Sequence, residues 1–247
     1  MAVLAWLTAR PIAHRGLHDA ARGVIENTAS AAGAAIALGY GIETDLQISA
    51  DGEAMVHHDD ALGRLTDGAG TVRELATAAL RRVPYRATSD RMMTLGDLLD
   101  LVGGRVPLLI ELKSRFDGDL RLALRASAVL QGYAGPVAVM SFDPVPIVAL
   151  RRSAPRLCRG IVAERRYAAS AWRGLTVAQR LMLPWLAHAW QSRPAFAAYR
   201  VDDLATLPPR AVRRLGLPLL AWTVRTEEQR RSAALRADQA IFEGYLA

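Results

Sequence analysis

The 247-residue chain carries 31 Lys and Arg against 24 Asp and Glu, a formal net charge of +7, with 51% hydrophobic and 22% charged residues. That balance excludes a disordered chain and supplies enough apolar material for one large core, although the length alone would also accommodate two small domains. A single cysteine, Cys158, excludes an internal disulfide framework and fits a reducing compartment. Its arginines sit mostly in dispersed pairs such as Arg151-Arg152, Arg165-Arg166, Arg213-Arg214 and Arg230-Arg231. These read as solvated helix faces, not as a basic stripe, so no nucleic-acid partner is expected.

The opening residues 1–7 are apolar but too short to span a bilayer. They lack the charged leader of a signal peptide, and His14-Arg15-Gly16 follows so closely that a cleavage of normal length would remove it. The expected location is the cytoplasm, with no stable membrane insertion. Short apolar or β-branched runs then alternate with helical-period segments along the chain. Strands are predicted at 11–14, 41–48, 107–113, 136–141, 159–163, 196–199, 218–224 and 239–243. Helices are predicted at 28–38, 94–102, 119–130, 144–153 and 227–235, with Asn27-Thr28 and Thr94 as N-caps.

One run breaks this rhythm. Residues 54–58 follow the 41–48 strand after only five residues that include Asp51-Gly52, a hairpin signal and too short a link for a parallel crossover. We read 54–58 as an antiparallel return strand, which leaves eight strands, the number that closes a (β/α)8 TIM barrel. Residues 59–93 have turn residues and no barrel strand, so about 49–93 is a small insertion after the second barrel strand of a single domain covering 1–247. Within it Leu62, Leu65, Val72 and Leu75 are spaced like the inside of a small lobe. A second irregular region, 165–194, holds Trp172, Trp185 and Trp190; the reading is an amphipathic helix pair packed on the barrel, with a membrane-facing element as the alternative.

In Glu43-Thr44-Asp45 the two carboxylates occupy positions i and i+2 of a strand and share a face, with Ile42, Thr44 and Leu46 expected on the other, against the helices. Two buried like charges cost several kcal/mol unless a cation compensates. Glu111 and Lys113 repeat the spacing, and three carboxylates on neighbouring strands suit a hard, oxygen-ligated divalent cation, Mg2+ or Ca2+. Of five histidines, His14 ends a strand beside Arg15, and His57-His58 follow the return strand beside Asp59. Two histidines, a cation site and an arginine provide the acid, base, Lewis acid and phosphate clamp that phosphodiester hydrolysis needs.

Several short motifs occur in order. They are Ala13-His14-Arg15-Gly16, Glu26-Asn27-Thr28, Glu43-Thr44-Asp45, Asp51-Gly52, His58-Asp59, the run from Leu62 to Gly70, Glu111-Leu112-Lys113, Ser141-Phe142-Asp143 and Trp222-Thr223. Together they resemble the glycerophosphodiester phosphodiesterase family over nearly the whole chain. The resemblance implies a metal-dependent TIM-barrel phosphodiesterase that hydrolyses small glycerophosphodiesters, such as glycerophosphocholine or glycerophosphoethanolamine, to glycerol-3-phosphate and an alcohol. By matching position, His14 and His58 are the acid/base pair, with His57 facing elsewhere. Glu43, Asp45 and Glu111 are the metal ligands, with Glu26 and Asn27 as nearby ligand or supporting groups. Arg15 and Lys113 contact the phosphate, and Trp222 forms an aromatic wall of the substrate pocket. The chain departs from the family in carrying Ile25 where a proline is usual and Glu243 in a last strand that commonly ends with Asp. Lysophospholipase-D-like hydrolysis of lysophospholipids is the nearer alternative, and a non-catalytic phosphate-ligand-binding barrel the more distant one.

Overall fold

The computed structural model describes residues 4–169, 172 and 174–247. Eight of its strands form the closed parallel sheet of a (β/α)8 barrel and the ninth is an antiparallel return strand. Backbone contacts divide the chain into two compact units, one made of Ile12–Lys113 and Arg121–Val137, the other of Met1–Pro11, Ser114–Leu120 and Ala138–Ala247.

The first unit holds β1 (Ile12–Ala13), β2 (Gly41–Ile48), β3 (Ala54–Val56) and β4 (Leu108–Leu112). β2 is parallel to β1 and to β4, and its register sets Asp45 opposite Glu111. β2 is buried at seven of its eight positions, the pattern of a strand covered on both faces. β3 returns antiparallel with Leu46 opposite Val56, through a turn where Gly52 takes φ +85°. Helix Ala29–Ala37 starts where the Thr28 hydroxyl accepts from the Ala31 N–H, and helix Leu95–Val102 where Thr94 and Asp97 form a capping box. Between β3 and the second of these helices, Ile25, Met55, Leu62, Val72, Leu80, Tyr85 and Met92 form a buried cluster, with Leu65, Leu75 and Val83 against it. The apolar residues of the insertion therefore build their own small core, as their spacing predicts.

The second unit contains β5 (Val137–Ser141), β6 (Cys158–Ala163), β7 (Phe196–Arg200), β8 (Leu219–Val224) and β9 (Gln239–Phe242), successively paired and parallel. Gly160 is required on β6, because a Cβ there would lie 2.3 Å from the ring of Phe196 on β7. Helix Pro144–Ser153 begins with proline behind the Asp143 cap. Helix Leu207–Arg214 was not among the predicted elements. Its Pro208-Pro209 and three arginines hide it in the sequence, yet prolines at the first turn cost no intrahelical hydrogen bond. The region 165–194 differs from the expected packed helix pair. Its described residues form the short helices Val177–Met182 and Ala189–Ser192 with a 3-10 turn at Leu183–Trp185 between them, and no residue of Val177–Met182 is buried.

Candidate active site

The site forms in the first unit, at the ends of β1, β2, β3 and β4. A positive φ at Arg15 and at Gly16 reverses the chain directly after β1. The turn is fastened to β2, since Arg15 N–H donates to Glu43 Oε2 at 3.1 Å and Gly16 N–H to the Glu43 carbonyl at 3.2 Å. Gly16 also faces Ala31, where a Cβ would come within 2.8 Å of the helix backbone. This close approach fixes where His14 and Arg15 stand: His14 Nε2 lies 3.9 Å from Glu43 Oε2.

Glu43, Asp45 and Glu111 are all buried, and each offers a carboxylate oxygen within 4.8 Å of the others. Lys113 Nζ lies 2.8 Å from Asp45 Oδ1 and 2.7 Å from Glu111 Oε1. Arg15 Nη1 donates to Glu26 Oε1 at 2.6 Å, while its Nε stands 3.3 Å from Asp45 Oδ2, at ion-pair distance without hydrogen-bond alignment. Asn27, held at φ +57°, is buried and donates to Asp45 Oδ2 at 2.9 Å. The Thr44 hydroxyl donates to Asn27 Oδ1 at 2.7 Å, so Thr44, expected merely to pack against the helices, also orients Asn27.

The protonation preferences follow from this layout. Burial opposes ionisation of Asp45, but Lys113, His58, Arg15 and His14 outweigh it and hold its carboxyl well below the usual range. Burial raises Glu43, and the Asp45 and Glu111 carboxylates add to the rise. Burial would release the Lys113 proton, yet Asp45 and Glu111 more than restore it and keep the ammonium charged.

His58 is half-buried, with Nδ1 2.7 Å from Asp59 Oδ1. Gln47 Nε2 donates to the His58 carbonyl at 2.9 Å, tying the residue back to β2. His57 is buried, and burial lowers its pKa so that it stays neutral. Sequence reasoning missed Arg64 as a site residue. Its Nε lies 2.5 Å from Asp59 Oδ2 and its Nη2 2.7 Å from Glu26 Oε1, so one guanidinium bridges the His58 side and the Arg15 side. Nothing local signals this, because Glu26 is 38 residues away in sequence.

The donor set fits a divalent cation. Glu26, Glu43, Asp45, Asp59 and Glu111 are five carboxylates set among three side-chain cations, Arg15, Arg64 and Lys113, which leaves two negative charges uncompensated when all ionise. Oxygen ligands within 4.8 Å of one another suit a hard ion with bonds of about 2.0–2.6 Å.

Trp222 belongs to the second unit, on β8, where its indole N–H donates to the Ala198 carbonyl at 3.2 Å. It stands edge-on to Phe142 at 5.4 Å, and Phe142 packs in turn against Trp172, tilted by 55° at 4.7 Å. Trp172 Nε1 donates to buried Glu164 at 2.6 Å, and Arg200 Nη1 binds the same carboxylate at 3.1 Å. This Glu164 cluster was also invisible in sequence, since no motif marks it. Glu243, left open from sequence, accepts from Arg225 at 2.8 Å.

Known proteins resemble this chain in sequence and in fold. The sequence model of the Glycerophosphoryl diester phosphodiesterase family matches residues 14–243. A Glycerophosphodiester phosphodiesterase of Caldanaerobacter subterraneus subsp. tengcongensis is 29% identical over 164 residues, covering 62% of this chain and 66% of that protein. A Glycerophosphodiester phosphodiesterase of Bacillus subtilis is 27% identical over 150 residues, covering 52% of this chain and 51% of its own length. In fold, an Oleispira antarctica phosphodiesterase solved in complex with the product sn-glycerol-3-phosphate superposes with a TM-score of 0.76 at 22% identity, over 96% of this chain and 94% of that one. The glycerophosphodiester phosphodiesterase of Thermotoga maritima superposes with a TM-score of 0.69 at 21% identity, over 94% and 92%. With the match running from the His14 turn through to the last strand, the chain belongs to the glycerophosphoryl diester phosphodiesterase family.

Proposed function

We propose that this chain is a phosphoric diester hydrolase, a single domain over residues 1–247, that cleaves water-soluble glycerophosphodiesters such as glycerophosphocholine or glycerophosphoethanolamine to glycerol-3-phosphate and the alcohol. The observation that carries the reading is the convergence of His14, Arg15, Glu43, Asp45, His58, Glu111 and Lys113 in one unit, with three buried carboxylate oxygens within 4.8 Å. Glu43, Asp45 and Glu111 would hold Mg2+ or Ca2+, with Glu26 and Asn27 supporting them. When bound, the cation supplies Lewis-acid polarisation of the phosphoryl group. Arg15 and Lys113 gather the phosphate charge and offset what builds on it as the bond breaks. With Nδ1 of His58 engaged by Asp59, its Nε2 is left to take or give a proton, and His14 completes the pair. Trp222, which packs against Phe142, would be the aromatic side chain that the family resemblance assigns to the glycerol or alcohol. The lone Cys158 fits a cytoplasmic setting.

The test is alcohol release from a panel of glycerophosphodiesters, before and after exhaustive chelation and on return of Mg2+ or Ca2+. Chelation should abolish turnover and one of the ions restore it; undiminished turnover after chelation would sink the metal assignment. Lysophospholipids are a second reading, favoured by one observation, the exposed apolar side chains between Val177 and Trp190. Choline release from lysophosphatidylcholine, with none from glycerophosphocholine, would select it.

A further inference from the structure

The connection from β6 to β7 is held from below and apolar above. Leu175, Leu183 and Leu186 are buried, and the Tyr199 hydroxyl donates to the Pro184 carbonyl at 2.9 Å, so the backbone is fixed to its unit. Yet Val177 is 73% exposed, Leu181 67%, Met182 52%, Trp185 64% and Trp190 73%. Scattered exposed leucines need no explanation, but five large apolar side chains within fourteen residues do. The helix Val177–Met182 buries none of its residues, so packing within this chain does not account for its composition.

Charge narrows the partner. Residues 165–199 contain five arginines and no Asp or Glu, and the flanking Glu164 and Asp202 are both paired with Arg200. Arg165, Arg166 and Arg193 are exposed. A protein partner would be expected to meet a face carrying both signs, whereas tryptophan, aliphatic side chains and unopposed arginine are the composition of an interfacial anchor. Indole rings settle at headgroup depth, and each arginine gains from an anionic surface within a Debye length.

We infer that the ridge formed by Val177, Leu181, Met182, Trp185 and Trp190 docks on the surface of a bilayer containing anionic phospholipid, as a peripheral and reversible contact. No helix among the described residues is long and apolar enough to cross a membrane, so the contact is the shallow kind. It stands apart from the proposed hydrolysis, because binding is read without turnover.

The experiment compares the chain with its Trp185→Ser/Trp190→Ser variant, and with Leu181→Ser/Met182→Gln as a second variant, by co-sedimentation with vesicles. The vesicles are phosphatidylcholine alone or phosphatidylcholine containing phosphatidylglycerol. The parent should sediment with the phosphatidylglycerol vesicles and shift its tryptophan emission to the blue. Raising the salt should weaken this binding, and vesicles without phosphatidylglycerol should bind less. Each variant should partition at least about tenfold less, with an unchanged melting temperature, since the altered side chains are exposed. Three results would overturn the inference: a parent that stays in solution, variants that partition as the parent does, or a parent that dimerises without lipid while the variants stay monomeric.

Discussion

Histidine 188 is buried, its Nδ1 3.3 Å from the Ser192 hydroxyl, with no carboxylate among its interactions. Burial lowers its pKa from 6.5 to about 4. The unfolded chain therefore binds a proton that the folded chain refuses, so stability is fully present above pH 6.5 and is lost as pH falls toward 4. Integrating the linkage between pH 7 and pH 5 gives a loss of roughly 2 kcal/mol from this one side chain. His57, also lowered by burial, adds a loss of the same sign. Replacing His188 by Gln keeps a partner for Ser192 and removes the titration. Urea unfolding of parent and His188→Gln at pH 7, 6 and 5 reads the difference directly. The parent should lose about 2 kcal/mol more than the variant between the first and last pH, with the slopes m unchanged. Parallel pH profiles would refute the reasoning, since the imidazole would then be protonating in the folded state at no cost.

The remaining expectations concern the site. His58→Ala should lower kcat by about 10²–10⁴, the usual worth of one acid/base group, and His57→Ala by much less; the reverse order would put the wrong member of the doublet in the site. Lys113→Gln should destabilise by about 3–5 kcal/mol by leaving Asp45 and Glu111 without their shared ammonium. Saturating divalent cation should then raise the melting temperature of Lys113→Gln more than that of the parent, and equal shifts would argue against an ion at Asp45 and Glu111. Gly16→Ala should cost at least about 1–2 kcal/mol from its φ of +78° alone, with a further loss of activity as the turn is pushed off Ala31. Unchanged melting and turnover would show that the turn does not need this close approach.

What the sequence discloses here is what local chemistry enforces. β2 is legible to the residue, because a doubly covered strand must be continuously apolar except where it carries the site, and Glu43 and Asp45 interrupt it at the strand spacing. The return strand is legible because a five-residue link permits only a hairpin; it is two residues shorter than predicted, ending at Val56, although the His57 N–H still bonds the Asp45 carbonyl in the same register. Helix Leu207–Arg214 was hidden because its buried face consists only of Pro209 and Val212 among prolines and arginines. The Val177–Trp190 segment misled for the opposite reason, since it has the composition of a packed amphipathic helix pair and exposes the side that packing would cover. Glu164 could not be singled out, because a carboxylate that ends a strand looks the same whether it meets solvent or, as here, Trp172 and Arg200.

Arg64 explains why the site's two histidine-bearing segments share one geometry although they come from different strand ends. Glu26 holds Arg15 with one oxygen and Arg64 with both, and Asp59 holds Arg64 with one oxygen and His58 with the other. Each carboxylate is thus anchored by the shared Arg64, which keeps Glu26 in place to hold Arg15 and Asp59 in place to hold His58. Burial would otherwise favour protonating both acids; Arg64 with Arg15 overrides this at Glu26, and His58 with Arg64 at Asp59. With those two carboxylates satisfied by arginine, the uncompensated charge concentrates on Glu43, Asp45 and Glu111. Lys113 alone cannot serve all three, because it binds Asp45 and Glu111, while the contacts of the Glu43 carboxylate among the described residues are the Arg15 N–H and, at 3.9 Å, the His14 ring. The fold therefore sorts its acids into two groups, one tied by arginine to hold the acid/base side chains in place and one left with room for a cation.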